Sequence, residues 1–137
     1  MGLIIDSSVI IAVEKGKIDF TKLVQYEQSY ISPITVTELL TGVSRSNTEE
    51  RRMKRSVFVE HIINSISVLP FGVEEARIYN HILYNLFIEN ITIGIHDMLI
   101  AASAIVHGYP ILTLNGRDFN RIKGLEVVTL DTKRSSS

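Results

Sequence analysis

Four carboxylates stand where a hard cation could be held. Asp6 ends the apolar run "LIID", and Glu38 lies in the second turn of a helix with an apolar stripe. Asp97 opens the stretch "IGIHDMLIAASAIVHG", and Asp118 follows "ILTL" by four residues. Like charges brought together disfavour each other's ionisation, and a divalent cation removes the conflict. Carboxylate and water oxygens suit Mg2+ or Mn2+, and magnesium takes only one or two carboxylates directly while keeping several waters. On this chemistry Asp6 and Asp97 are the direct ligands, and Glu38 and Asp118 work through coordinated water or a second ion; the number of ions stays open. Each acid also has an ordinary explanation. Asp6 is placed as a helix N-cap, Glu38 as a solvated helix residue, Asp97 as a partner of the helix dipole worth ~0.3–1 kcal/mol, and Asp118 as a turn residue. Only a shared location in space favours the metal.

The elements that must supply that location alternate between short apolar strands and helices. "LIID" reads as a buried strand, with Asp6, Ser7 and Ser8 able to cap a helix that stops near Gly16. A helical pattern over 20–27 precedes the strand "SYIS". Ser32 and Pro33 then give an N-cap and a first-turn proline for a helix whose stripe is Val36, Leu39, Leu40 and Val43. Asn47 and Glu50 resemble a capping pair for a long helix to about Ile66. "SVLP" is a strand, and the next helix is predicted to turn Ala76, Tyr79, Leu83 and Leu86 or Phe87 inward. The Asp97 helix stops at Gly108; "ILTL" and "EVVTL" are strands, with "RDFNRI" a loop holding at most one helical turn. Strands joined through helices imply a mostly parallel sheet covered on both faces, an α/β three-layer sandwich. Ligands then gather at the carboxyl ends of the strands, the edge to which all four acids map. The 137 residues suit one domain over 1–131, with 132–137 a mobile tail.

In "IIDSSVII", "ITVTELLTGV", "IGIHDMLIAASAIVHG" and "ILTLNGRDF" the sequence resembles the PIN-domain ribonucleases, and most closely the VapC toxins of toxin-antitoxin modules. No one segment is specific; the order and spacing of all four carry the likeness. The family's four acids fall on Asp6, Glu38, Asp97 and Asp118, its T-x-N element on Thr113 and Asn115, and its first hydroxyl on Ser7. Ser8 stands where asparagine is frequent, and Gly72 where an aspartate often caps the following helix. The resemblance implies a PIN-like fold and an Mg2+- or Mn2+-dependent endoribonuclease in which a metal-activated water attacks the phosphodiester. It further implies a homodimer and a cognate antitoxin protein that covers the acidic site. Ser7, Thr113, Asn115 and Arg117 are candidate substrate contacts. A PIN-like RNA-processing nuclease outside a toxin system and a non-catalytic metal- or peptide-binding module are the alternatives. A phosphatase using Asp6 as nucleophile would want a second aspartate two residues on, where Ser8 stands.

Composition sets the remaining bounds. Fourteen Lys and Arg against fifteen Asp and Glu give a net charge of −1, so no overall excess points to nucleic acid or to an anionic membrane. With four acids assigned to metal, the basic side chains outnumber the other acids by three. Arg45, Arg51, Arg52, Lys54 and Arg55 cluster around the Ser32 helix and the next one, open to phosphate contact or to simple solvation. The absence of cysteine excludes disulfides and thiolate zinc sites. Residues 98–116 lack formal charge, but His107, Gly108, Pro110 and Asn115 interrupt them, so they read as soluble core. No secretory leader is seen at the start, and the expected location is the cytoplasm. His61, His81, His96 and His107 show no metal-ligand spacing; His96, beside Asp97, is the one that could support the site.

Overall fold

The computed structural model describes residues 2–21 and 28–130. The helix expected over 20–27 from residue 22 onward, and the terminal segment from residue 131, lie outside them.

The strands are β1 (Gly2–Ile5), β2 (Gln28–Ile31), β3 (Ser67–Val68), β4 (Ile111–Thr113) and β5 (Val127–Thr129). They form one sheet in the order β3-β2-β1-β4-β5, and every pairing is parallel. β1 is fully buried because it has neighbours on both edges and helices on both faces. Its side chains alternate between two cores. Leu3 and Ile5 join Val9, Ile10, Ile31, Leu39, Val59 and Ile62 on one face. Ile4 joins Ile82, Leu86, Met98, Ile100, Ile111 and Phe119 on the other. The α/β sandwich read from the sequence is the one observed.

The helices are α1 (Ser7–Glu14), α2 (Pro33–Ser44), α3 (Glu49–Ser65), α4 (Val73–Ile88) and α5 (Ile95–His107). α2 starts as expected: the Ser32 hydroxyl accepts from the Ile34 N–H at 3.0 Å, and Pro33 fills a position whose N–H has no helical partner. α5 ends at Gly108, whose φ of 69° is the left-handed conformation that glycine adopts without strain. Along α5, Ala101, Ala102 and Ala104 are wholly buried, so a helix with short side chains lies close against the sheet.

Three local readings are corrected. Thr48, not Asn47, caps α3, accepting from the Arg51 N–H at 3.1 Å; Asn47 instead takes a bond from the Arg51 guanidinium. In α2, Leu40 is exposed, and the stripe buries Thr35 and Leu39 with Val36 and Val43 half-buried. In α4, the inward face is Glu75, Ile82 and Leu86, flanked by half-buried Ile78 and Tyr79, while Ala76, Leu83 and Phe87 face outward. α4 has apolar residues on more than one face, and periodicity alone could not say which of them the sheet would cover. The result is an exposed apolar stripe of Leu83, Tyr84, Phe87 and Ile88, paired at i,i+4 spacing.

Candidate active site

Asp6 is the first residue past β1 and is 7% exposed. It occupies the N-cap position of α1, yet its carboxylate makes no capping bond. Oδ2 instead accepts from the Ser8 hydroxyl at 2.8 Å and from the Thr113 hydroxyl at 2.9 Å. Two hydroxyl donors fix the carboxylate plane, leaving Oδ1 without a protein partner among the described residues. Ser8 also accepts from the Leu114 N–H at 3.1 Å, and Thr113 from the Asn115 N–H at 3.0 Å. The ends of β1 and β4 are thus tied together around one oxygen of Asp6. Ser8 departs from the family's asparagine but keeps a polar bridge at this point.

Asp97 lies in the first turn of α5, half-buried, and is capped by nothing. Its pKa is pushed up to about 6, first by burial and then by the negative charges of Asp6, Asp118 and Glu38, with His96 opposing. That the other three acids all act on Asp97 places the four in one electrostatic neighbourhood. Glu38 projects from α2, with Oε2 at 3.4 Å from His96 Nδ1 and Oε1 buried without a hydrogen-bond partner. Asp118 precedes the single 3-10 turn Phe119–Arg121 and pairs weakly with Arg121 at 3.7 Å. The turn is held by Phe119, which is 1% exposed in the core.

The candidate substrate contacts are placed unequally. Thr113 is fully buried and its one proton goes to Asp6, so it acts by orienting that carboxylate. Ser7 is half-buried at the start of α1, and Asn115 and Arg117 are exposed on the loop leading to Asp118. Gly116 separates them because a Cβ there would stand 2.6 Å from Thr129 Oγ1. The support from Ser8 and Thr113 was not legible from spacing: the two residues are 105 positions apart.

The cluster can hold a cation. Its carboxylates offer only oxygen donors, Glu38 presents a buried oxygen with no partner among the described residues, and the Asp97 carboxyl is raised by burial and then by the neighbouring acids. Among the described residues no three acids or histidines are drawn together tightly enough to grip an ion between them. An ion placed here would be held by few direct carboxylates, the other acids acting through water.

The fold is a parallel sheet with helices on both faces, and Asp6, Glu38, Asp97 and Asp118 share one acidic neighbourhood at its edge. The sequence matches the PIN domain over residues 3–125, and the chain belongs to that family. It is 54% identical over 133 residues to ribonuclease VapC1 of Rickettsia felis, covering 97% of this chain and 99% of that one. It is 52% identical to ribonuclease VapC of Rickettsia bellii over the same shares. Among solved structures, the DNA-bound VapBC of Salmonella typhimurium is similar with a TM-score of 0.83 at 26% identity, over 94% of this chain and 98% of that one. VapBC2 of Rickettsia felis, bound to a promoter DNA fragment, has the same fold with a TM-score of 0.84 at 23% identity, over 96% and 100%.

Proposed function

We propose that this chain is a divalent-metal-dependent endoribonuclease and the toxin of a toxin-antitoxin pair. Its similarity over almost its whole length to proteins named VapC ribonucleases supports the reaction and the role. The observation that carries the metal is the Asp97 carboxyl, held to about 6 beside three further acids. Asp6 and Asp97 would hold the ion directly, with Glu38 and Asp118 oriented toward its waters. When bound, a divalent cation lowers the pKa of a coordinated water and offsets charge building on the phosphate oxygens. The chain's own work is positional. Ser8 and Thr113 lock Asp6, the Phe119 turn aims Asp118, and the short α5 side chains bring Asp97 down to the strand ends. Exposed Arg117 and Asn115, with Ser7, would meet the phosphates flanking the cut. This reading places the protein in the cytoplasm with its RNA.

Purified protein should cut mixed cellular RNA with Mg2+ or Mn2+ and stop when EDTA is added. The products should carry 5′-phosphate and 3′-hydroxyl ends; 2′,3′-cyclic phosphates would reject attack by water. Among the described residues no helix is long and apolar enough to cross a membrane; on α4 the apolar stripe of Leu83, Tyr84, Phe87 and Ile88 is exposed. An exposed set of this kind on a small domain marks an association surface, and we assign it to a homodimer. Light scattering should give twice 15.4 kDa, and Phe87→Glu should return the monomer. A monomeric parent at micromolar concentration would refute this dimer. The antitoxin partner is inferred from the toxin role, and it is expected to cover the acidic site.

A further inference from the structure

The basic side chains around the α2–α3 hairpin have no part in the reading above. Lys15, Arg45, Arg51, Lys54 and Arg55 line a cleft of about 690 Å³ in which Glu14 is the lone carboxylate. Glu14 is already neutralised by Arg55 Nε at 3.1 Å. Arg51 leans on the Asn47 carbonyl at 3.0 Å, and Lys54 holds Glu50 only at 3.7 Å with both groups in water. Lys15 and Arg45 form no ion pair among the described residues. With Arg55 paired to Glu14 and Lys54 near Glu50, Lys15, Arg45 and Arg51 are left without a carboxylate among the described residues, and exposed pairs contribute little in any case.

The cleft does not end there. A second cavity, about 230 Å³, shares Glu14, Lys15, Arg55 and Phe58 with it and also takes in Glu38. The basic cleft therefore runs to Glu38, the one member of the acidic cluster that lines it. We propose that this groove is the path of the RNA strand, with Lys15 and Arg45 binding phosphates several nucleotides from the cut. The proposal rests on the ribonuclease reading. A basic protein segment would be repelled by the cations that line most of the groove. A nucleic acid strand supplies one negative charge per nucleotide along the basic length and, at the acidic end, the bond to be cut.

The test combines Lys15→Ala with Arg45→Ala, two exposed residues whose removal breaks no ion pair among the described residues. Binding is read by fluorescence anisotropy in the Asp97→Asn background, using an RNA of about 20 nucleotides and one of about three. For the long strand, Kd should rise on the order of tenfold at low salt. The slope of log K against log salt should flatten by about 1.4, close to 0.7 per lost phosphate contact on a single strand. In the otherwise active chain KM should rise with kcat unchanged, and the short oligonucleotide should respond in neither assay. Unchanged Kd and salt slope for the long strand would overturn the proposal. So would a loss of antitoxin affinity with RNA affinity intact, which would make the groove a protein-docking surface. If the parent cleaves no RNA but the long-strand Kd still depends on Lys15 and Arg45, the groove stands and the nuclease reading falls. If the parent cleaves and binding is indifferent to both residues, only the groove falls.

Discussion

Asp6→Asn and Asp97→Asn should each lower the RNA cleavage rate by on the order of 10³-fold, measured as kcat/KM on a labelled RNA at saturating Mg2+. Several kcal/mol of transition-state charge stabilisation depend on the cation, and about 1.4 kcal/mol corresponds to tenfold in rate. Asparagine keeps the shape of each side chain but removes the charge that holds the ion. The two variants should part on stability. The Asp6 carboxylate accepts from two hydroxyls, so Asp6→Asn weakens favourable bonds. The Asp97 carboxyl is raised from 3.8 to about 6 by burial and then by its acidic neighbours. A raised carboxyl pKa in the folded state means that its contribution to metal-free stability is full below about pH 4 and is lost as the pH climbs through about 6. The shift converts to about 3 kcal/mol, which solvent screening of a half-exposed group reduces to about 1–2 kcal/mol. Metal-free Asp97→Asn should therefore melt several degrees above the parent at pH 8 and equal it near pH 4, with the two curves converging once Mg2+ is added to the parent. Full activity in either folded variant would remove that residue from the site. A parent melting temperature that rises between pH 4 and 7 without metal would contradict the crowding of the acids.

Phe119→Ala should be the most damaging single change to the fold outside the strands. Phe119 is 1% exposed and packs into the same core as Ile4, Ile100 and Ile111. Removing a buried aromatic side chain costs about 3–5 kcal/mol, because the lost transfer energy is joined by the cavity it leaves. For a domain of this size the melting temperature should fall by about 12–20 °C. The residue also joins Asp118 to the core, so activity at 20 °C, where the variant is still folded, should fall about 10- to 100-fold, in the range seen when the support of a metal ligand is removed. Phe119→Leu, which fills most of the space, should restore stability and most of the activity. A Phe119→Ala variant that melts normally would show that the turn is anchored elsewhere.

The order of elements is largely legible in the sequence because local chemistry marks it. Ser32 with Pro33 states where α2 begins, and Gly108 where α5 ends. The types of the four acids are legible too, but their convergence depends on the parallel order of the strands, which the alternation of strand and helix suggests without fixing. What is not legible is specific. Thr113 beside Asp6 is a contact across 107 residues, and no local pattern encodes it. The face that α4 buries is hidden because its apolar residues surround much of the helix, and the choice between faces is made by packing. Asn47 and Thr48 are both good caps, and only the backbone conformation chooses Thr48. The basic residues around α3 read equally as a solvated face until the two cavities they line are seen to join.

The bond from Thr113 to Asp6 has a consequence for how such a protein is made. The site closes on itself only when the beginning of the polypeptide meets a strand near its far end, and Asp118 arrives later still. A chain cut short before Thr113 would lack the bond that fixes Asp6 and would lack Asp118 itself, and on the proposed mechanism it would not cleave RNA.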